Sequence, residues 1–265
     1  MPSGIDINSD YLVKLESISK TYSVEGGLKI DVLQDINFKI DTSERGTITT
    51  ILAPFGSGKS TLLKIIAGLI EPSGGKIFFK DDHHKIPYIT EKPSSFPWLN
   101  VRKNIEVSMN LKTSKETDIQ SLISLVDLAG YEDHFANNKS VGFRFRISLA
   151  RALAVNPSLI LIDDSFKVMK RESRGEIFDL LINISSRQNL NFVLATTNLV
   201  EAVQLSDKII LMSKKPGKII KEIHLNNKDR TQLNNHNSEI FTTVKAEIET
   251  AFEAAESLTT INYSV

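Results

Sequence analysis

The 265-residue chain carries 32 basic and 32 acidic residues, so its net charge is zero and no polyelectrolyte partner such as nucleic acid is expected. It has no cysteine, which excludes disulfides, thiolate metal sites and cysteine nucleophiles and fits a reducing compartment. Its length suits one domain with a full core or one domain carrying a subdomain; Met1 to Asp10 lacks the apolar centre of a signal peptide, and no run approaches the ~20 apolar residues of a membrane span.

Tyr11 to Tyr22 and Lys29 to Ile40 alternate apolar and polar residues, as strands with one covered face do, and Glu25-Gly26-Gly27 supplies the turn between them. An antiparallel β lobe is therefore expected first. Tyr22, near the end of this lobe, reads equally as a base-stacking aromatic or as an ordinary core or surface tyrosine.

Ile48 to Leu52 reads as a short buried strand. It runs into Ala53-Pro54-Phe55-Gly56-Ser57-Gly58-Lys59-Ser60-Thr61, after which Leu62, Ile65, Ile66 and Leu69 recur at helical spacing. Strand, glycine loop and helix in that order form the context of a phosphate-binding loop. Gly56 and Gly58 leave backbone N–H groups free to converge on phosphate oxygens, the helix N-terminus adds partial positive charge, Lys59 adds a full one, and the Ser60 hydroxyl suits magnesium. Ala53 stands where the pattern G-x-x-x-x-G-K-[ST] has its first glycine. Either that position needs no positive φ, or it carries strain of roughly 1–2 kcal/mol.

Beyond the loop helix, Pro72-Ser73-Gly74-Gly75 turns into a strand at Lys76 to Lys80, and Asp81 to Lys85 reads as a charged surface turn whose His83 and His84 are solvated rather than metal ligands. Ile86 to Thr90 is a further strand candidate, followed by the proline-broken loop Glu91 to Trp98. Val101 to Leu111 and Glu116 to Leu128 have helical periodicity and form a helical insertion; Ser148 to Val155 reads as another helix. Leu159 to Asp164 is an apolar run ending in two carboxylates, and Asn191 to Thr196 and Lys208 to Met212 repeat the type. Runs without alternation belong inside a parallel sheet covered on both faces, so the fold class is α/β, with Asp163 and Asp164 at the ligand-binding end of a strand. Asn226 to Asn237 reads as linker, and Ile240, Val244, Ile248 and Phe252 fall on one stripe of a closing helix expected to pack on the parent domain.

Taken together, the phosphate loop, the Asp163 strand end and the helical insertion between them resemble the ATP-binding subunit of ABC transporters, over about Tyr11 to Ile223. Phe96-Pro97-Trp98-Leu99-Asn100-Val101 and Leu149 to Pro157 look like the nitrate, sulfonate and taurine importer branch. The resemblance implies a P-loop NTPase (RecA-like) core with a parallel sheet, an N-terminal antiparallel β lobe and a helical subdomain at about 91–155. The ATP-binding domain would span 1–225, with 226–265 as linker and C-terminal helical tail. Tyr22 matches the adenine-stacking aromatic. Gly56, Ser57, Gly58, Lys59, Ser60 and Thr61 match the Walker A loop, and Asp163 matches the Walker B aspartate that holds magnesium through water.

The motifs that serve catalysis depart from the family. Asp164 stands where a glutamate polarises the attacking water, Thr197 where a switch histidine contacts the γ-phosphate, and Glu91 where a glutamine senses magnesium and water. Glu91 keeps a hard oxygen ligand but loses the amide donor. The signature loop, usually L-S-G-G-Q, reads Lys139-Ser140-Val141-Gly142-Phe143, keeping Ser140 and Gly142. Val141 is expected to put a branched side chain against the opposing phosphate. Lys167-Val168-Met169-Lys170 replaces S-A-L-D. The resemblance further implies Mg-ATP as cofactor, permease subunits, a solute-binding protein, and a second ATP-binding subunit in a hetero- or homodimer. It also implies a peripheral position on the cytoplasmic face of the inner membrane. The expected function is an ATPase subunit coupling dimer closure to solute transport with slow hydrolysis. The alternatives are a non-hydrolytic, nucleotide-gated regulatory subunit and a soluble ABC-type ATPase outside any transporter.

Overall fold

Alternating burial builds the first sheet. In this computed structural model, which describes residues 11–23, 25–41, 46–80, 86–92, 94–109, 118–137, 139–225 and 230–255, β1 (Tyr11–Ser23) pairs antiparallel with β2 (Lys29–Asp41). Val13, Leu15, Leu33, Ile36, Phe38 and Ile40 turn inward from the two strands. The fully buried β3 (Ile48–Leu52) then leads into α1 (Lys59–Ile66), and β4 (Gly74–Phe79) returns along the other edge of β1, giving the order β2-β1-β4. Helix α1 is shorter than its apolar spacing predicts. Gly68 follows at φ 68°, a left-handed exit favoured by glycine, and Leu69 is left 60% exposed.

The second sheet carries the ligand-binding crevice. Its order is β5-β6-β7-β3-β8-β9, built from β5 (Tyr88–Ile89), three helices α2 (Val101–Met109), α3 (Ile119–Leu125) and α4 (Val141–Leu153), then β6 (Leu159–Asp163), α5 (Arg171–Gln188), β7 (Asn191–Thr196), α6 (Leu199–Leu205), β8 (Lys208–Met212) and β9 (Ile219–His224). All neighbours are parallel except β8 and β9. Successive residues of the central strands face opposite layers. Leu159, Leu161, Val193 and Ala195 pack with α1 and the first sheet, whereas Ile160, Ile162, Phe192 and Leu194 pack with α4 and α5. Covering on both faces is why these strands read as unbroken apolar runs.

Three further elements differ from expectation. Helix α4 begins at Val141 rather than Ser148, because Ser140 Oγ accepts the Phe143 N–H and caps it. Strand β9 carries too many exposed polar residues, Lys221 and Glu222 among them, to register as a buried run. The stretch read as linker contains a helix, α7 (Arg230–Asn234), where it is described. Leu233 is buried, and Arg230 donates to the Leu205 carbonyl at 3.0 Å and pairs with Asp207, so a polar composition hides an anchored turn. His83, His84 and the rest of their turn lie outside the described residues.

The closing helix α8 (Glu239–Ala254) packs as expected. Phe241, Val244, Ile248 and Phe252 are buried with Leu199, Val203 and Leu211, while Ile240 sits at the margin of the stripe. At the opposite end of β8 the chain approaches the phosphate loop closely. Gly217 exchanges backbone hydrogen bonds with β2, accepting from Gln34 N at 3.0 Å and donating to Val32 O at 2.8 Å. A Cβ on Gly217 would lie 2.3 Å from Ser57 O.

Two substitutions test this packing. Phe252→Ala should cost about 3–5 kcal/mol in urea unfolding, the usual loss for a buried phenylalanine. Gly217→Ala should cost about 1–3 kcal/mol, because the Ser57 carbonyl has to move.

Candidate functional site

Where β3 ends, the chain enters the loop with its first residue unstrained. Ala53 is fully buried and its N–H donates to Thr196 O at 3.2 Å; the described non-glycine residues with positive φ are Ser17, Asp35, Asp127, Asn156, Asp164 and Asn189, so Ala53 needs no glycine. Gly58 does need one. Its φ is 92°, and a Cβ there would meet Val32 Cγ1 at 2.7 Å. The same residue is the N-cap of α1 and has no side chain to satisfy the helix N-terminus, so the first-turn amides face the loop opening. Ser57 Oγ is buried with no hydrogen-bond partner.

Lys59, Asp163, Asp164, Lys167 and Glu91 act on one another electrostatically at this opening. Burial pushes the Lys59 ammonium below its usual range, against the pull of Asp164, Asp163 and Glu91. Burial likewise pushes the Asp164 carboxyl up, while Lys59 and Lys167 pull it down. Asp163 is 4% exposed, and each of its carboxylate oxygens is held: Ser60 Oγ donates to Oδ1 at 2.9 Å and Tyr88 OH donates to Oδ2 at 2.6 Å. Burial first, and then that bond, keep the Tyr88 hydroxyl protonated well above the usual tyrosine range.

Asp164 sits at φ 46°, its N–H donating to Ala195 O at 2.8 Å. That bond fixes the turn between β6 and the following loop. Thr197 is buried just past β7. Beside it, Thr196 Oγ1 donates to Glu201 Oε2 at 2.7 Å, and Arg174 pairs with Glu201 Oε1 at 3.1 Å. Burial pushes the Glu201 carboxyl up, opposed by Thr196 and Arg174. This buried network ties α5 and α6 to the end of β7.

The residues present suit a magnesium-bound triphosphate. No group of three or more His, Asp or Glu among the described residues could hold a metal alone. Ser60 and Asp163 could each offer a hard cation an oxygen, directly or through water, with phosphate oxygens and water as its other ligands. The uncapped helix end, the orphaned Ser57 hydroxyl and Lys59 offer donors to the phosphates.

Tyr22, Ser140 and Gly142 are the remaining expected site residues. Tyr22 is 40% exposed, with Lys20 Nζ 5.0 Å from its ring centre. Ser140 and Gly142 line a separate cavity of about 760 Å³ with Arg146, Ser173 and Glu176. Val141, the first residue of α4, is half-buried against the core. Tyr88 and the Glu201 network belong to no motif. The legible sign of Tyr88 is its place opposite Leu161 in the β5–β6 register, on the face that Asp163 shares two residues on.

Comparison with known proteins agrees with this geometry. A family model described as ABC transporter matches residues 33–167. The aliphatic sulfonates import ATP-binding protein SsuB of Bacillus cereus is 35% identical over 217 residues, covering 80% of this chain and 85% of that protein. SsuB of Bacillus subtilis is 32% identical over 250 residues, covering 91% and 95%. The taurine import ATP-binding protein TauB of Yersinia pestis is 32% identical over 203 residues, covering 73% and 78%. A solved dimeric bacterial ABC transporter cassette superimposes with a TM-score of 0.69 at 26% identity, covering 80% of this chain and 98% of that one. A dimeric cassette in a post-hydrolysis state with ADP and phosphate gives 0.68 at 26% identity over the same shares. A phosphate loop opening against a strand-end aspartate, in a chain related over most of its length to such proteins, settles the family: this chain belongs to the ABC transporter family, as an ATP-binding subunit of the ABC-type ATPases.

Proposed function

We propose that this chain drives import of a sulfonate- or taurine-type anion, binding Mg-ATP between its phosphate loop and Asp163. The observation that carries the binding half is the Ser60 Oγ–Asp163 Oδ1 contact of 2.9 Å under the uncapped N-terminus of α1. The import half is supported by the names of the SsuB and TauB relatives, which weigh against a role outside any transporter.

In this reading the amides of Gly56 to Thr61, the Ser57 hydroxyl and Lys59 hold the phosphates, and Tyr22 stacks on the adenine. The chemistry that magnesium would supply when held here is positive charge against the phosphates. Ser60 and Asp163 would hold it, with Glu91 near enough to act on the same charge. Asp164 is the base, one methylene shorter than the usual glutamate. A C–C bond is about 1.5 Å, and misplacement of roughly 1 Å can cost about a hundredfold in rate. Thr197 brings no charge to the γ-phosphate. Slow cleavage follows, and a non-hydrolytic regulatory role is its limiting form.

Ser140 and Gly142 serve the nucleotide of the opposite subunit, consistent with their position away from this chain's own cradle. A homodimer would repeat Asp164 at both nucleotides; a fully equipped second ATP-binding subunit would leave one complete base. We therefore favour a heterodimer, to which this chain contributes an ATP-binding domain at 1–225, with its helical subdomain at about 91–155, and a linker and C-terminal helical tail at 226–265. Among the described residues no helix is long and apolar enough to cross a membrane. In this reading permease subunits supply the path and a solute-binding protein the substrate, with this chain peripheral on the cytoplasmic face, as the import names of the SsuB and TauB relatives suggest. The loop from Glu91 to Trp98 and the helical insertion would dock the permeases. Arg151 stiffens that loop by stacking on Phe96 at 4.4 Å, leaving Trp98 69% exposed.

ATP turnover of the full chain, alone and with its native partners, tests the reading. Asp164→Glu should raise turnover about a hundredfold, and Lys59→Ala should abolish ATP binding. Turnover of the wild-type chain alone at the rate of ordinary family members, or no gain from Asp164→Glu, would contradict the slow-cleavage half.

A further inference from the structure

The Asp163 carboxylate has a second holder that the phosphate-loop pattern does not anticipate. Tyr88 approaches from β5, on the side away from Ser60, and donates its hydroxyl to Oδ2 at 2.6 Å. The register places Tyr88 opposite Leu161 on the neighbouring parallel strand, so its ring lies along the face that carries Asp163. Tyr88 is half-buried and the bond is short, as hydrogen bonds from O–H to a carboxylate are.

We propose that Tyr88 is a positioning residue for the metal that accompanies the nucleotide. A carboxylate tethered at one oxygen cannot rotate freely about its Cβ–Cγ bond. With Oδ2 tied to Tyr88, Oδ1 is turned toward Ser60 Oγ at 2.9 Å, where the two oxygens face the loop opening together. Residues that orient a metal ligand typically contribute tenfold or more to metal affinity. The bond also draws charge from the carboxylate, which by itself would weaken metal binding; orientation outweighs it in this account. The inference rests on the Mg-ATP reading above and assigns one residue within it.

Tyr88→Phe removes the hydroxyl and keeps the ring that packs beside β6. Equilibrium binding of ATP to the full chain, measured with and without Mg²⁺, separates the effects, and Mn²⁺ paramagnetic resonance of the ATP-loaded chain reads the metal directly. The variant should need about tenfold more Mg²⁺ to reach half-maximal enhancement of ATP binding, and should bind Mn²⁺ correspondingly more weakly. Its metal-free ATP affinity should stay within about twofold of wild type. An unchanged or tighter metal response would overturn the assignment. So would an equal loss of metal-free affinity, which would make Tyr88 a packing residue. Wild-type chain that binds ATP neither with nor without Mg²⁺ would overturn the Mg-ATP reading itself, and this assignment with it.

Discussion

The Asp163 carboxylate is the point at which the separate parts of this molecule are joined. It stands at the end of β6, receives one hydroxyl from the first turn of α1 and another from β5, and is almost wholly removed from water. Hydrogen bonds to a charged acceptor are each worth about 1.5–3 kcal/mol, and a buried carboxylate without them would be strongly unfavourable. The sheet, the loop helix and the strand leading to the helical insertion are therefore held in register by one charged group. That group is also the one a magnesium-bound triphosphate would meet.

The loop itself is shaped from behind. Val32 and Leu33 of β2 close on Gly58, and Gly217, in the turn between β8 and β9, comes within one missing Cβ of the Ser57 carbonyl. Both glycines make room for neighbouring groups that a Cβ would strike. The N-terminal β lobe thus does more than cover a face of the sheet. It presses the loop into the conformation that turns amides outward, so a fault in β2 or in the β8–β9 turn would be felt at the nucleotide.

Patterns with a strong period were legible from sequence: the alternation of β1 and β2, the buried runs of β3, β6, β7 and β8, and the strand–loop–helix context of Lys59. Weaker signals failed for physical reasons. Strand β9 is half exposed and reads as surface; α7 is a single anchored turn in a polar stretch, fixed by Leu233 and Arg230 rather than by propensity. Ala53 posed a question that only the backbone answers, because a residue's φ is set by its neighbours. Tyr88 was hidden because its meaning depends on parallel pairing across 75 positions of chain.

The proposed function joins a firm grip on Mg-ATP to slow cleavage by a retracted base. The most direct measurement loads the full chain with a slight excess of Mg-ATP, removes free nucleotide and identifies what remains bound over time. Retention of a stoichiometric amount still present as ATP after many minutes is the predicted result. Prompt conversion of the bound nucleotide to ADP would contradict it.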